Sequence, residues 1–258
     1  MNKTAVQFSN VTFHYQNGTK QSCVPILEDF HLDLVENEFV SIIGPSGCGK
    51  STLFRLITGL EQPVKGTVYL NGAVHETRLG QVGYMPQQDL LMPWRTIQQN
   101  VVLPLELKGI KKNLIDSQML PLFAEFGLTG VEHKYPSELS GGMKQRASFL
   151  RTMLTGSNVL LLDEPFSALD AITRLTMQEW LLEQWEKRKK TILFITHDVN
   201  EALFLSDRIF VFTETPVSQL QEVKVPLNRP RALSDLNQPE MIRLKEFLIH
   251  QLRLKVKL

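Results

Sequence analysis

The segment from Gly44 to Thr52, Gly-Pro-Ser-Gly-Cys-Gly-Lys-Ser-Thr, has the composition of a phosphate-binding loop. Glycines let the backbone curl so that several N–H groups point at one anion. A helix is predicted from Lys50, and its N-terminus adds positive potential. Lys50 would contact the β- and γ-phosphates of a nucleotide, and the Ser51 hydroxyl would bind Mg²⁺. The predicted nucleotide-binding residues are Gly44, Pro45, Ser46, Gly47, Cys48, Gly49, Lys50, Ser51 and Thr52.

Two adjacent carboxylates, Asp163 and Glu164, follow the apolar run that begins at Asn158. The unbroken apolar run predicts a buried strand. Ligands of parallel α/β sheets bind beyond the carboxyl ends of the strands, so we expect Asp163 near the phosphate loop. There Asp163 would hold Mg²⁺, and Glu164 would polarise an attacking water. The alternative is that both carboxylates only cap the following turn.

Alternating strands and helices surround these residues and predict an α/β fold with a mainly parallel sheet flanked by helices. The predicted strands lie at residues 6–8, 11–13, 32–35, 38–43, 67–70, 81–84, 158–163, 191–195 and 208–212. The predicted helices lie at residues 50–59, 171–187, 199–205 and 239–257. A hairpin is expected at Asn71-Gly72. Helical periodicity in the last of these helices predicts that it packs on the domain through Ile242, Leu244, Phe247, Leu248 and Leu252.

The overall composition is that of an ordinary globular protein. Of 258 residues, 43% are hydrophobic and 21% are charged, which is enough for a buried core. The net charge of +1 implies no general attraction to nucleic acid or to a membrane surface. We find no signal peptide at the N-terminus, and no run of about 18 uncharged apolar residues that could span a membrane. A membrane role would therefore require a partner chain.

The two cysteines, Cys23 and Cys48, are too few for a disulfide framework and favour a reducing compartment. Cys48 lies within the phosphate-binding loop, close to the predicted helix N-terminus. That position favours a thiolate, so we expect Cys48 to have a lowered pKa and to be reactive. Alkylation of Cys48 would then block nucleotide binding, and MgATP would protect the thiol.

Leu139 to Arg146, Leu-Ser-Gly-Gly-Met-Lys-Gln-Arg, resembles the signature motif of the ABC (ATP-binding cassette) ATPases. Other motifs of that family follow its order: they are Tyr15 for adenine stacking, Gln87 of the Q-loop, Asp170 of the D-loop and His197 of the H-loop. The resemblance covers residues 5 to about 215. It implies a P-loop NTPase with a RecA-like sheet, an N-terminal antiparallel β-subdomain and a helical signature subdomain. The implied domains are an ATPase domain at 4–230, with the helical subdomain inserted at about 90–156, and a C-terminal helical extension at 231–258.

The resemblance also implies a role for each of these motif residues. The catalytic residues would be Glu164, His197, Gln87 and Asp170, and the Mg²⁺ ligands would be Ser51, Gln87 and Asp163. His197 would sense the γ-phosphate of ATP. Asp170 would cap the helix that starts at Ala171 and would also reach across a dimer.

Ser140, Gly141 and Gly142 precede a predicted helix and form a second anion site. One chain hardly needs two such sites for one triphosphate. In the family, two cassettes pair head to tail, and the signature of one closes over the γ-phosphate bound by the other, which implies an ATP-dependent dimer. Met143 replaces a glutamine that many members carry, so it receives no ligand role, and Gln145 and Arg146 are expected at a helix surface or a domain contact.

The segment from Gln88 to Trp94 resembles the loop with which importer cassettes receive a helix of the membrane subunit. Exposed apolar loops often mark interfaces, so we expect a permease to bind near Leu90, Leu91, Met92 and Trp94. The alternative is a loop tucked into its own core. The implied location is the cytoplasmic face of the membrane, as part of a complex with a permease and an extracytoplasmic solute-binding protein.

The segments from Leu91 to Ile97, from Leu139 to Arg146 and from Asn228 to Arg231 together resemble the nitrate, sulfonate and taurine importer branch, and thiamine-precursor importers are similar. The cargo stays open because a cassette does not touch it. A second interpretation is a soluble ABC ATPase that acts on ribosomes, iron–sulfur assembly or DNA. Such proteins usually carry two cassettes or a long coiled coil, whereas this sequence has one unbroken cassette and no heptad run. The signature motif contradicts a third interpretation, a P-loop kinase.

Overall fold

The computed structural model describes residues 3–15, 24–212 and 215–253, without the side chains of residues 112–118. The strands are β1 (Thr4–Phe13), β2 (Leu27–Val35), β3 (Phe39–Ile43), β4 (Lys65–Leu70), β5 (Gly83–Met85), β6 (Val159–Asp163), β7 (Thr191–Ile195), β8 (Arg208–Val211) and β9 (Gln221–Lys224). The helices are α1 (Lys50–Thr58), α2 (Ile97–Val101), α3 (Leu103–Leu107), α4 (Lys112–Glu125), α5 (Gly141–Met153), α6 (Ala171–Arg188), α7 (Val199–Leu205) and α8 (Pro239–Arg253). None of the helices in these ranges combines the length and hydropathy of a membrane span.

The chain forms two compact units, one made of Met1–Gln81 with Trp185–Leu258 and the other of Val82–Gln184. The first unit, called the nucleotide unit below, contains an antiparallel sheet in the order β2-β1-β4. It also contains β3, which lies parallel to β7 on one side and to β8 on the other. All residues of β3 and β7 are buried, as expected for central parallel strands.

Three details of the nucleotide unit differ from the sequence-based prediction. Residues 4–13 form one strand rather than two, because a bulge with Asn10 at φ 52° carries the register shift. After Asn71-Gly72 the chain returns through a single bridge between Leu70 and Ala73, so the predicted hairpin is short. Strand β9, antiparallel to β8, was not predicted, because its four residues lack a buried apolar face.

The second unit, Val82–Gln184, is called the signature unit below. Its strands β5 and β6 are parallel, with Tyr84 opposite Leu161, and β6 is fully buried. The rings of Phe126, Phe149 and Trp180 pack together, with centroids 5.5–6.2 Å apart. Arg146 lies over the Trp180 ring at 5.5 Å. Gln145 is buried, so of its two expected places, a helix surface or a domain contact, the helix surface is wrong.

Helix α8 packs on α7 and β8 through Met241 and Leu248, which are 1% and 0% exposed. The packing is as predicted, but the face is partly wrong, since Ile242 and Phe247 are 45% and 40% exposed. The predicted end of this helix, residues 254–257, lies outside the described residues, as does Cys23.

The turn before α8 is held by buried Arg231, whose guanidinium donates to the carbonyls of Leu203, Phe204 and Ser206 at 3.3, 3.2 and 2.7 Å. Burial, and to a lesser degree the nearby Arg229, lowers the pKa of Arg231 to about 10. Since the last carbonyls of a helix have no partner within it, Arg231 caps the carboxyl end of α7.

Candidate functional site

The phosphate-binding loop connects β3 to α1, as its sequence predicts. The side chain of Lys50 is 5% exposed, and its ammonium donates to the carbonyls of Gly44 at 2.9 Å and Pro45 at 2.8 Å. A buried charge is stable only when its hydrogen bonds are satisfied. The loop therefore encloses the positive charge of Lys50 at the N-terminus of α1. The helix N-terminus itself favours an anion, so both features favour phosphate binding at the same place.

Two glycines of this loop have no room for a side chain. A Cβ on Gly44 would lie 2.7 Å from the Cβ of Phe212. Gly49 has a φ of 104°, and a Cβ there would lie 2.6 Å from Cγ2 of Ile26. Glycine at both positions gives the bare, curled backbone that a phosphate cradle needs, so the loop fits a nucleotide phosphate.

Cys48 is only partly accessible in this loop, and its thiol differs from the sequence-based expectation. Burial raises the pKa of Cys48, and the opposing effect of the Lys50 charge is smaller. The predicted lowering of this pKa is therefore wrong: desolvation disfavours the thiolate more than the neighbouring charge favours it.

Tyr15 follows β1 in the nucleotide unit. Its ring stands edge-on to Phe13, with centroids 5.0 Å apart and an interplanar angle of 84°. Its hydroxyl lies 3.4 Å from Oγ1 of Thr52 in α1. Tyr15 is 40% exposed, so part of its side chain is accessible to an aromatic ligand.

His197 lies between β7 and α7 and is exposed. Both of its neighbours are fixed by hydrogen bonds. Thr196 bonds to the buried Glu201 through its hydroxyl and accepts from the Asp198 amide at 3.0 Å. Asp198 caps α7 by accepting from the Asn200 amide at 2.7 Å. The backbone of His197 is thus held on both sides, while the residue itself is exposed.

Asp163 and Glu164 stand at the carboxyl end of β6 in the signature unit. Asp163 is 7% exposed and accepts from the Tyr84 hydroxyl at 3.4 Å. The Gln87 side chain donates to Oε2 of Glu164 at 3.1 Å. Glu164 has a φ of 48°, and its carbonyl accepts from the amide and hydroxyl of Ser167 at 3.1 and 3.0 Å. The backbone is strained at this carboxylate, as is common at functional sites.

Ser140 and Asp170 each cap a helix of the signature unit. The Ser140 hydroxyl accepts from the Met143 amide at 3.4 Å, and α5 begins at Gly141. Asp170 accepts from the Thr173 amide at 3.0 Å, in the capping role that its sequence position predicts. Its hydrogen bonds with Thr173 lower the pKa of Asp170. Ser140 and Gly141 are both exposed, so the N-terminus of α5 is accessible to an anion.

The loop of residues 89–96, called the apolar loop below, is only partly open to solvent. Leu90 and Trp94 are 59% and 74% exposed, whereas Leu91 is 7% exposed. Leu91 packs inward, as the alternative of a loop tucked into its own core has it, so Leu91 is not available as a permease contact. Leu90 and Trp94 leave apolar surface exposed, as sites of protein interaction often do.

Comparison with known proteins decides the family. A profile of the ABC transporter family matches residues 27–167. The chain belongs to the ABC transporter family. The formylaminopyrimidine import ATP-binding protein ThiZ of Halalkalibacterium halodurans is 46% identical over 94% of this chain and 93% of its own length. The nitrate import ATP-binding protein NrtD of Synechococcus elongatus is 42% identical over 80% of this chain and 76% of its own length.

Solved structures of ABC cassettes share the fold. The dimeric post-hydrolysis structure of the ATP-binding cassette MJ0796, bound to ADP and Pi, matches with a TM-score of 0.71. It is 30% identical and covers 86% of this chain and 100% of that one. The family and P-loop fold predicted from the sequence are thus confirmed, and the chain is an ABC ATPase.

The ABC motif residues divide between the two units. Tyr15, the phosphate-binding loop and His197 lie in the nucleotide unit, whereas Gln87, the two carboxylates, the signature and Asp170 lie in the signature unit. Sequence reasoning did not single out Tyr84 and Ser167, which bond to Asp163 and Glu164, or Glu201, which bonds to the residues on either side of His197. Their closeness in sequence to Gln87, Glu164 and His197 was the only available signal.

Proposed function

We propose that this chain hydrolyses ATP to energise an importer and works as a head-to-tail dimer clamped by ATP. The observation that carries the proposal is the second anion site, the exposed N-terminus of α5 capped by Ser140. It lies on a different unit from the phosphate-binding loop. A dimer explains why one ATPase chain has two anion sites. In it, Ser140, Gly141 and Gly142 close over the γ-phosphate of the ATP that a partner copy holds.

The nucleotide unit binds the ATP in this proposal. Tyr15 stacks on adenine, and the loop amides hold the phosphate oxygens. Lys50 exchanges its carbonyl partners for the β- and γ-phosphates. His197, on its fixed backbone, contacts the γ-phosphate.

The signature unit supplies the hydrolytic groups. Glu164 orients the attacking water, and Gln87 holds its carboxylate in place through the 3.1 Å hydrogen bond. Asp163 and Gln87 of this unit offer hard oxygen donors of the kind that suits Mg²⁺, and Ser51 offers another in the nucleotide unit. The metal, when bound, would neutralise phosphate charge. Asp170 keeps the start of α6 in place and reaches across the dimer.

The names of the relatives support a proposal for the cargo class. Their names specify import of formylaminopyrimidine, aliphatic sulfonates and nitrate, at 46%, 40% and 42% identity. We infer a small anion or organic solute of this kind, such as nitrate, an aliphatic sulfonate, taurine or a thiamine precursor. A permease would bind at Leu90, Met92 and Trp94 of the apolar loop, which places the chain at the cytoplasmic face of the membrane. A solute-binding protein completes the complex.

Two experiments test this function. The Glu164→Gln variant should bind MgATP, form a stable dimer and lose turnover, because the amide cannot polarise water. Light scattering that finds a monomer in saturating MgATP would count against the clamp. The tagged chain should also co-purify with a polytopic membrane protein. Recovery with ribosomes or DNA alone would instead favour a soluble ABC ATPase.

A further inference from the structure

Helix α5, called the signature helix below, donates hydrogen bonds to the apolar loop of the same unit. From α5, the Ser148 hydroxyl donates to the Asp89 carbonyl at 3.2 Å. The Arg151 guanidinium donates to the Leu90 carbonyl at 2.8 Å and, through its other terminal nitrogen, to the Asp89 carbonyl. One helix therefore binds two successive carbonyls of the loop. The two terminal nitrogens of Arg151 form a fork of two charge-assisted hydrogen bonds, one to each carbonyl.

The far side of the apolar loop is fixed by Asn100 in α2. Its side chain is 0% exposed. Its amide oxygen accepts from the Met92 amide at 2.7 Å, and its nitrogen donates to the carbonyls of Met92, Arg95 and Thr96, each at 3.1 Å. The amide oxygen and the amide nitrogen of Asn100 therefore both bond to the backbone of the apolar loop.

The conformation that these side chains hold is strained. Leu90 has a φ of 45°, in the left-handed region that disfavours a leucine. Such a backbone persists only where its surroundings fix it. The Arg151 guanidinium bonds to the carbonyls of Leu90 and Asp89, so it stabilises the backbone at the strained residue itself.

We propose that Arg151, assisted by Ser148, is a positioning residue that ties the signature helix to the apolar loop, so that the two move together. Ser140 caps the amino end of α5, and the carboxyl half of the helix carries Ser148 and Arg151, about 12 and 16 Å further along at the rise of an α-helix. A movement of α5 that accompanies binding of a partner's ATP at Ser140 is thereby passed on to the apolar loop, which faces the permease. This inference rests on the function proposed above.

Hydrogen–deuterium exchange on the whole chain, in the Glu164→Gln background, tests the link without a permease. MgATP should slow exchange at the start of α5 and in the apolar loop. In the additional Arg151→Met variant, MgATP should still slow exchange at the start of α5, while the loop exchanges at least about tenfold faster, since a charge-assisted bond is lost, and no longer slows when MgATP is added. Arg151→Lys should be intermediate, because one ammonium replaces a two-nitrogen fork.

Lys108→Met is the matched control, since Lys108 donates to the Thr155 carbonyl, beyond α5 and outside the apolar loop. It should leave loop protection unchanged. If Arg151→Met lowers the melting temperature strongly, Ser148→Ala carries the test, with a smaller effect in the same direction. A dimer whose loop protection is unchanged in these variants, or is lost equally in the control, would overturn the inference alone. A monomer with neither segment protected would overturn the proposed function, and the inference with it.

Discussion

Replacement of Lys50 by methionine removes one buried positive charge while keeping most of the side chain's length. In the nucleotide unit this ammonium is satisfied by two carbonyls, at 2.9 and 2.8 Å. ATP binding therefore exchanges existing hydrogen bonds for phosphate contacts, rather than pairing a bare charge. Lys50→Met loses the contact with the phosphates. It also has no ammonium–carbonyl hydrogen bonds to break when ATP binds, which reduces the net loss of binding free energy.

Truncating one partner of a buried, hydrogen-bonded charge pair costs about 2–5 kcal/mol. The two carbonyl bonds that Lys50 gives up place the expected loss in the lower half of that range, at about 2–3.5 kcal/mol. At about 1.4 kcal/mol for each factor of ten, Kd for ATP should rise by about 30- to 300-fold.

Titration with a fluorescent ATP analogue measures this change directly. Lys65→Met is the matched control, because Lys65 is an exposed lysine of the same unit. It should bind as the unaltered chain does, and thermal unfolding shows whether Lys50→Met is folded. A Kd for Lys50→Met within about threefold of the control would refute the assignment of this lysine to the phosphates.

Three further outcomes are expected. Iodoacetamide should modify Cys48 slowly at neutral pH and faster as the pH rises, because burial raises the pKa of its thiol; mass spectrometry measures the adduct, and a pH-independent rate contradicts this. Ser140→Arg should keep ATP binding by the monomer but abolish the MgATP dimer in light scattering, and loss of both would mean that Ser140 only supports the fold. Hydrogen bonding lowers the pKa of Asp170, so its contribution to stability should fade as the pH falls through that pKa; Asp170→Asn should remove this pH dependence from denaturant unfolding.

The parts of the site that the sequence predicts are local in the chain. A phosphate-binding loop needs glycines, lysine and serine at fixed spacing between a strand and a helix, so its residues and its flanking elements appear together. Ser140 and Asp170 likewise precede their helices directly, and a side-chain cap acts within three residues. Short-range rules suffice for such features.

The errors concern features that depend on distant residues. Helix α8 is apolar at Met241, Ile242, Phe247 and Leu248, so its sequence allows two neighbouring faces, and only the surface of α7 and β8 selects one. The pKa of Cys48 depends on how tightly the loop is enclosed, which its nearness to a helix terminus does not reveal. Leu91 turns inward because Asn100 and Arg151 fix the loop around it.

Arg231 has a practical consequence for anyone who shortens this protein. The ATPase domain was expected to end at residue 230, which makes that position an obvious place to cut or to fuse a reporter. Removal of everything beyond it would uncap α7, the helix that begins two residues after His197, and would strip Met241 and Leu248 from its apolar side. We expect the trimmed chain to be poorly soluble and prone to aggregate. A tag is better placed downstream of Arg253, so that all of the described part of α8 is kept.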